Sequence, residues 1–225
     1  MNVTDEVPIR DAATVILVRD PGGSPSVLMG QRGRSAVFMP DKFVFPGGAL
    51  DADDALVPLV AEPGPVCMGR LDAHAPSGFS RALAAAAIRE LWEETGLRLS
   101  RSGAWPDAPR DWAGFSDGGH RPDASALRFF FRAVTPPGRP RRFDARFFIA
   151  DAGDVTGDAE TFSGAGDELA HLQWVPLSEA RALNLAFITE LVLAELARHL
   201  PSLDAPARVP FIRNDRMDSR VIWLD

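Results

Sequence analysis

Cysteine is almost absent from this chain: Cys67 stands alone among 225 residues. An internal disulfide and a multi-cysteine metal site are therefore excluded, and a reducing, cytoplasmic setting is expected. No local motif promotes the thiol, so it reads as buried filler rather than a nucleophile. Positive charge is also short, with 24 Lys and Arg against 31 Asp and Glu, a net charge of −7. Phosphate backbones are gripped by clustered Lys and Arg, so no general nucleic-acid binding is expected. The opening MNVTDEVPIRD has no basic stretch leading into an apolar run, and no apolar run approaches the length that spans a membrane. Neither a signal peptide nor a membrane association is therefore expected. What is present is ordinary for a soluble protein, 46% hydrophobic and 24% charged residues. The length suffices for a full core in one elaborated domain over residues 1–225, with an insertion at about 55–80 and a C-terminal helix and tail.

Along the chain, AATVILVRD (12–20) is continuously apolar and β-rich, and reads as a buried strand ended by the turn PGGSPS. VLMGQR (27–32) is its hairpin partner, and FVF a short strand running into the tight turn Pro46-Gly47-Gly48. Residues 55–80 show no sustained period and read as a loop with a short helix. Ser80 is placed to cap a helix from Arg81 to about Thr95, and Gly96 sits where a left-handed terminating residue belongs. Its core stripe is Leu83, Ala84, Ala87, Ile88 and Leu91, with the carboxylates off that stripe. Residues 101–126 have the composition of a variable loop. LRFFFRAV and FDARFFIA follow as strands joined by TPPGRPRR, then the strand LAHLQWVPL and a long amphipathic helix over 178–200. The tail from Pro201 reads as extended. Strands mixed irregularly with two substantial helices imply an α/β sandwich around a mixed sheet.

Within this frame, RELWEETG (89–96) gathers Glu90, Glu93 and Glu94 on one helical face. Like charges at i and i+4 cost a few tenths of a kcal/mol when solvated. A solvated face with Arg89 paired to Glu93 is therefore one reading. A hard-cation site is the other, since clustered carboxylates suit Mg²⁺ and the cation removes the repulsion.

Two separated segments, PGGALDADD (46–54) and RELWEETGL (89–97), resemble the two halves of a Nudix box. Gly48 matches the opening glycine, Asp54 stands where the family has its first Glu, and every specified position from Arg89 onward matches. Between Asp54 and Arg89 lie 34 residues where the common pattern has seven, about 27 more. A box split in this way resembles the subgroup that includes peroxisomal acyl-CoA diphosphatases, as does PPGRPRRFDARFFIA after the box. DELAHLQWVPL resembles the family's late strand with its acidic loop.

The resemblance implies a Nudix-type α/β/α sandwich and metal-dependent hydrolysis of a diphosphate that links a nucleoside to another moiety. CoA or acyl-CoA, giving 3′,5′-ADP and a 4′-phosphopantetheine product, is the first substrate class. NADH, ADP-ribose or nucleotide sugars come next, and a non-catalytic nucleotide-sensing module is the rival. It further implies that Glu90, Glu93, Glu94 and the Gly48 carbonyl ligate Mg²⁺ or Mn²⁺, that Arg89 fixes a carboxylate, and that a homodimer forms. The general base varies in the family; Glu168, beside Asp167 in the loop before the late strand, is the candidate, with Glu94 the alternative. Asp54 is open between a site role through water and none. Arg32, Arg139, Arg141 and Arg142 are candidates for phosphate contact, each weighed against a surface role. Phe129, Phe131, Phe143 and Phe147 are read as core before base-stacking, because they recur at strand spacing.

Overall fold

The computed structural model describes residues 7–73, 75, 78–215 and 218–225. Residues 1–6, part of the opening read above for a leader, and 74, 76 and 77 of the inserted stretch lie outside the described residues. The strands are β1 (Ile9–Arg19), β2 (Ser26–Arg32), β3 (Phe43–Val44), β4 (Gly47–Ala49), β5 (Arg98–Ser102), β6 (His120–Pro122), β7 (Arg128–Val134), β8 (Arg142–Asp151), β9 (Val155–Thr156), β10 (Leu169–Pro176), β11 (Val209–Asn214) and β12 (Ser219–Leu224). The helices are α1 (Pro65–Asp72), α2 (Phe79–Thr95), α3 (Ala113–Ser116) and α4 (Phe187–His199). Among the described residues the main sheet runs β10-β2-β1-β8-β7-β11-β12, with β3 on β2 and β4 on β1, and β6-β5-β9 form a smaller sheet.

β1 lies at the centre, parallel to β8 from Ile9 opposite Arg142 to Val18 opposite Asp151. Both faces of a central strand are covered, which is why its sequence is continuously apolar rather than alternating. Successive side chains still point to opposite faces. Ala13, Val15 and Leu17 enter a core with α1 and α2, while Ile16 and Val18 enter a second core with Val192, Leu193 and Leu196 of α4. The architecture is therefore the expected α/β/α sandwich around a mixed sheet.

Several local expectations change. β1 begins three residues early, because the charged Arg10 and Asp11 interrupt the apolar run while the backbone from Ile9 still pairs with β8. α2 begins at Phe79 with Gly78 as the left-handed N-cap, so Ser80 lies inside the first turn, where its amide donates to Asp72 Oδ1 at 3.1 Å. Gly96 does end the helix in the left-handed region, at φ 75°. The inserted stretch supplies a 3-10 turn (Ala52–Leu56) at its entry and then α1, whose Cys67 is buried and accepts from the Phe129 amide. Residues 101–126 are not featureless: they contain α3 and β6.

The long helix expected over 178–200 is real only over Phe187–His199. Upstream of it, the Asn184 carbonyl accepts from the Phe43 amide at 3.0 Å, and Lys42 Nζ donates to Asn184 Oδ1 and the Leu185 carbonyl at 2.6 and 2.9 Å. A helix would need those carbonyls for itself. The extended tail becomes β11, parallel to β7, and β12, which closes that side of the sheet.

Candidate functional site

The sequence placed the acidic residues of α2 on a face apart from the core. They are buried instead: Glu90 is 8% and Glu94 2% exposed. The cause is local, since β4 and the Ala52–Leu56 turn pack across that side of the helix. Only Glu93 keeps an open side chain, 39% exposed.

Arg89 organises the cluster. Its Nε donates to Asp54 Oδ1 at 2.9 Å and its Nη2 to Asp54 Oδ2 and the Ala49 carbonyl, both at 3.0 Å. Its Nη1 donates to Glu90 Oε1 at 2.8 Å and Glu93 Oε2 at 3.2 Å. All five guanidinium N–H groups thus have acceptors. Asp54, itself 1% exposed in its side chain, also accepts from the Asp51 amide at 2.8 Å. The two motif halves, far apart in sequence, meet in this bidentate buried pair. Both Asp54 oxygens are engaged by Arg89, so its place is behind the arginine.

β4 approaches α2 closely enough for its backbone to enter the site. The Gly47 amide donates to Glu94 Oε2 at 2.8 Å, whereas Glu94 Oε1 is buried without a partner. At Gly48, an added Cβ would fall 2.4 Å from Glu90 Oε1, so only glycine admits the carboxylate there. Burial lifts the Glu90 carboxyl to about 7 against the pull of Arg89. Burial also raises Glu93, and holds Glu94 well above the ordinary carboxylate range despite the Gly47 hydrogen bond.

Glu168, at the end of the loop before β10, is brought towards the same helix: two residues earlier the Gly166 amide donates to the Glu93 carbonyl at 2.8 Å, and the Glu168 charge raises both Glu90 and Glu94. It is ion-paired with Arg32 Nη2 at 2.6 Å. Of the other phosphate candidates, Arg139 and Arg141 are exposed. Arg142 is buried, donating to the Thr135 carbonyl at 3.0 Å and the Asn214 carbonyl at 3.4 Å, a structural use of its donors. Phe129, Phe131 and Phe147 are core, while Phe143 is half-buried against Phe38 with ring centroids 5.0 Å apart. A cavity of about 260 Å³ opens beside Arg89 and Asp54, walled further by Asp51, Asp53, Pro109, Asp111 and Trp112. Asp111 comes from residues 101–126, whose composition is that of a variable loop, and its charge adds to the rise at Glu93. A lone acid in a loop of irregular composition carries no signal that could have found it.

Among the described residues no three His, Cys, Asp or Glu side chains form a ready-made cation cage. The reason is visible: Arg89 engages Glu90 and Glu93, and Gly47 engages one oxygen of Glu94. The donor set nonetheless fits a hard divalent cation. It is all oxygen, it contains an orphaned buried carboxylate oxygen on Glu94, and the strained acids gain from a positive charge.

The family model described as NUDIX domain matches residues 75–196, more than half of the chain. A curated Caenorhabditis elegans protein, provisionally named nudix hydrolase 7, is 27% identical over 183 residues, covering 76% of this chain and 52% of its own length. The chain thus spans about half the length of that relative. The crystal structure of a NUDIX hydrolase from Alicyclobacillus acidocaldarius superposes with a TM-score of 0.64 at 27% identity, covering 89% of this chain and 99% of that one. A MutT protein from Methanosarcina mazei Go1, with a TM-score of 0.50 at 14% identity over 86% and 96% of the two chains, shares the fold.

Proposed function

The chain belongs to the Nudix family, and on that premise we propose that it is a diphosphatase acting on nucleoside diphosphates linked to another moiety, with CoA or acyl-CoA as the first substrate class. The observation that carries this reading is the buried Glu94, one oxygen unpartnered, beside Glu90 and beneath the glycine backbone of β4. Surface acids of a solvated helix have no need of such burial. Nudix enzymes generally use divalent metal ions, and here Glu90, Glu93, Glu94 and the Gly48 carbonyl would hold Mg²⁺ or Mn²⁺. A cation held there neutralises phosphate charge, orients the diphosphate and lowers the pKa of a bound water.

The remaining work belongs to the protein. Arg89 orients Glu90 and Glu93, and Asp54 fixes Arg89 from behind, so the carboxylates meet the substrate already arranged. Glu168 accepts the proton of the attacking water as its oxygen bonds to phosphorus and the bridging P–O bond breaks. CoA is favoured because the split box and the PPGRPRRFDARFFIA segment resemble the acyl-CoA diphosphatase subgroup.

The test is a product assay by chromatography and mass spectrometry, with Mg²⁺ or Mn²⁺ and a panel of CoA, acyl-CoA, NADH, ADP-ribose and nucleotide sugars. Release of 3′,5′-ADP supports the CoA reading; AMP from another substrate keeps the chemistry and replaces the ligand. Saturable nucleotide binding without any phosphate product would favour the sensing module. Glu93→Gln and Glu94→Gln are each expected to lower kcat by about 100-fold or more with the circular dichroism spectrum unchanged, the range of lost site groups. Near-normal turnover in both would remove this cluster from the mechanism.

A further inference from the structure

We propose that Arg32 and Gly166 form a two-point clamp that holds the Glu168 loop against the acid-bearing helix α2, making Arg32 and Gly166 positioning residues for the hydrolysis. The inference rests on the reading of Glu168 as the base. Glu168 ends a loop that leaves β9 at Thr156 and would be free to swing if nothing tied it down, since its side chain is 57% exposed. Two ties exist, one on each side of the carboxylate.

The first lies on α2. The last carbonyls of a helix have no partner within it, and Gly166 meets one of them: its amide donates to the Glu93 carbonyl at 2.8 Å. The approach is so close that a Cβ on residue 166 would stand 2.6 Å from that oxygen. The helix that supplies the acids therefore also anchors the loop, two residues before Glu168. The second tie lies on the sheet. In the β2–β10 ladder Leu169 stands opposite Arg32, which fixes the residue next to Glu168 in register. Arg32 Nη2 then pairs with Glu168 Oε1 at 2.6 Å from a side chain only 20% exposed, while its buried Nε has no partner. An exposed ion pair contributes little to stability. Here its effect is directional: it turns the carboxylate at the end of an anchored loop, where a displacement of about 1 Å can cost about 100-fold in rate.

The experiment is a mutant cycle on the full chain with Mg²⁺ and CoA, comparing Arg32→Ala, Gly166→Ala, Glu168→Gln and the double variant Arg32→Ala/Glu168→Gln. Hydrogen exchange of the 157–168 amides is followed in parallel. Glu168→Gln should lower kcat by about 100-fold, the scale of a general base. Arg32→Ala and Gly166→Ala should each lower kcat about 10-fold with KM little changed. In the double variant Arg32→Ala should add nothing, since a residue acting through another has no effect once that other is gone. Arg32→Lys should restore part of the loss.

Additive losses in the double variant, or a rise in KM alone, overturn the clamp and place Arg32 on the substrate. An unimpaired Glu168→Gln removes the base reading itself, and the clamp's catalytic meaning with it. If CoA is not turned over, exchange decides: faster exchange of the 157–168 amides in both clamp variants supports the proposal, and unchanged protection overturns it.

Discussion

Glu90 and Glu94 are carboxyls whose protonation is set by where β4 lies. Glu90 titrates near its ordinary 4.5 in the unfolded chain and near 7 when folded, chiefly through burial. Between those values the folded state holds more protons, so its stability falls as pH rises from about 4.5 to about 7 and stays lower above. Glu93 and Glu94 shift in the same direction and add to the trend. Urea denaturation of the metal-free protein is therefore expected to show this decline, and Glu94→Gln to flatten it; an unchanged slope would contradict the burial argument. By the same linkage, Mg²⁺ affinity should weaken as pH drops from 8 to 6, with calorimetry recording proton release on binding. Gly48→Ala tests the close approach. The added methyl must displace the Glu90 carboxylate, and Mn²⁺ affinity should fall by about 10-fold or more, the scale of disturbed ligand placement.

An element-scale feature of this protein is that two motif halves separated by 34 residues are joined again by one buried pair. The Ala52–Leu56 turn delivers Asp54 to Arg89, and the inserted residues then leave through α1, which packs on α2. Removing Asp54 leaves Glu90 and Glu93 on Arg89 Nη1 but strips two buried guanidinium N–H groups of their acceptor, a loss of about 1–3 kcal/mol. Asp54→Ala is expected to destabilise by roughly that amount and to release Arg89 from its fixed geometry; a loss under about 1 kcal/mol in urea titration would show the pair to be dispensable. The shortening of α4 is an effect of the same scale. The 178–200 pattern is helical by local preference, yet Asn184 and Leu185 serve Lys42 and Phe43 instead. Local periodicity does not contain that competition. The helix N-terminus at Gly78 rather than Ser80 was equally hidden, because Asp72 arrives from another helix.

At the scale of the whole molecule, β1 divides two cores, and the acids lie in the α2 layer while α4 closes the other face. The C-terminal strands complete the sheet, with Val209 fully buried and Phe211 nearly so. Each such side chain contributes about 1.5–3 kcal/mol, so deletion of residues 209–225 is expected to cost at least about 3 kcal/mol in chemical denaturation; a stable truncated chain would make β11 and β12 an accessory. Much of this plan was legible beforehand. The 3.6-residue spacing of Leu83, Ala84, Ala87, Ile88 and Leu91, the apolar run of β1 and the left-handed Gly96 are local signals, and the chain expresses them wherever it lies. So is the grouping of Glu90, Glu93 and Glu94, which helical geometry alone puts on one side. The tertiary structure decided what those groups experience: that β4 buries Glu90 and Glu94, that Asp54 rather than Glu93 is the main partner of Arg89, that Arg32 pairs with Glu168, and that Gly166 meets the Glu93 carbonyl. Burial and pairing across sequence separation depend on which elements come together, and a charge read along one helix carries no record of the strand that will cover it.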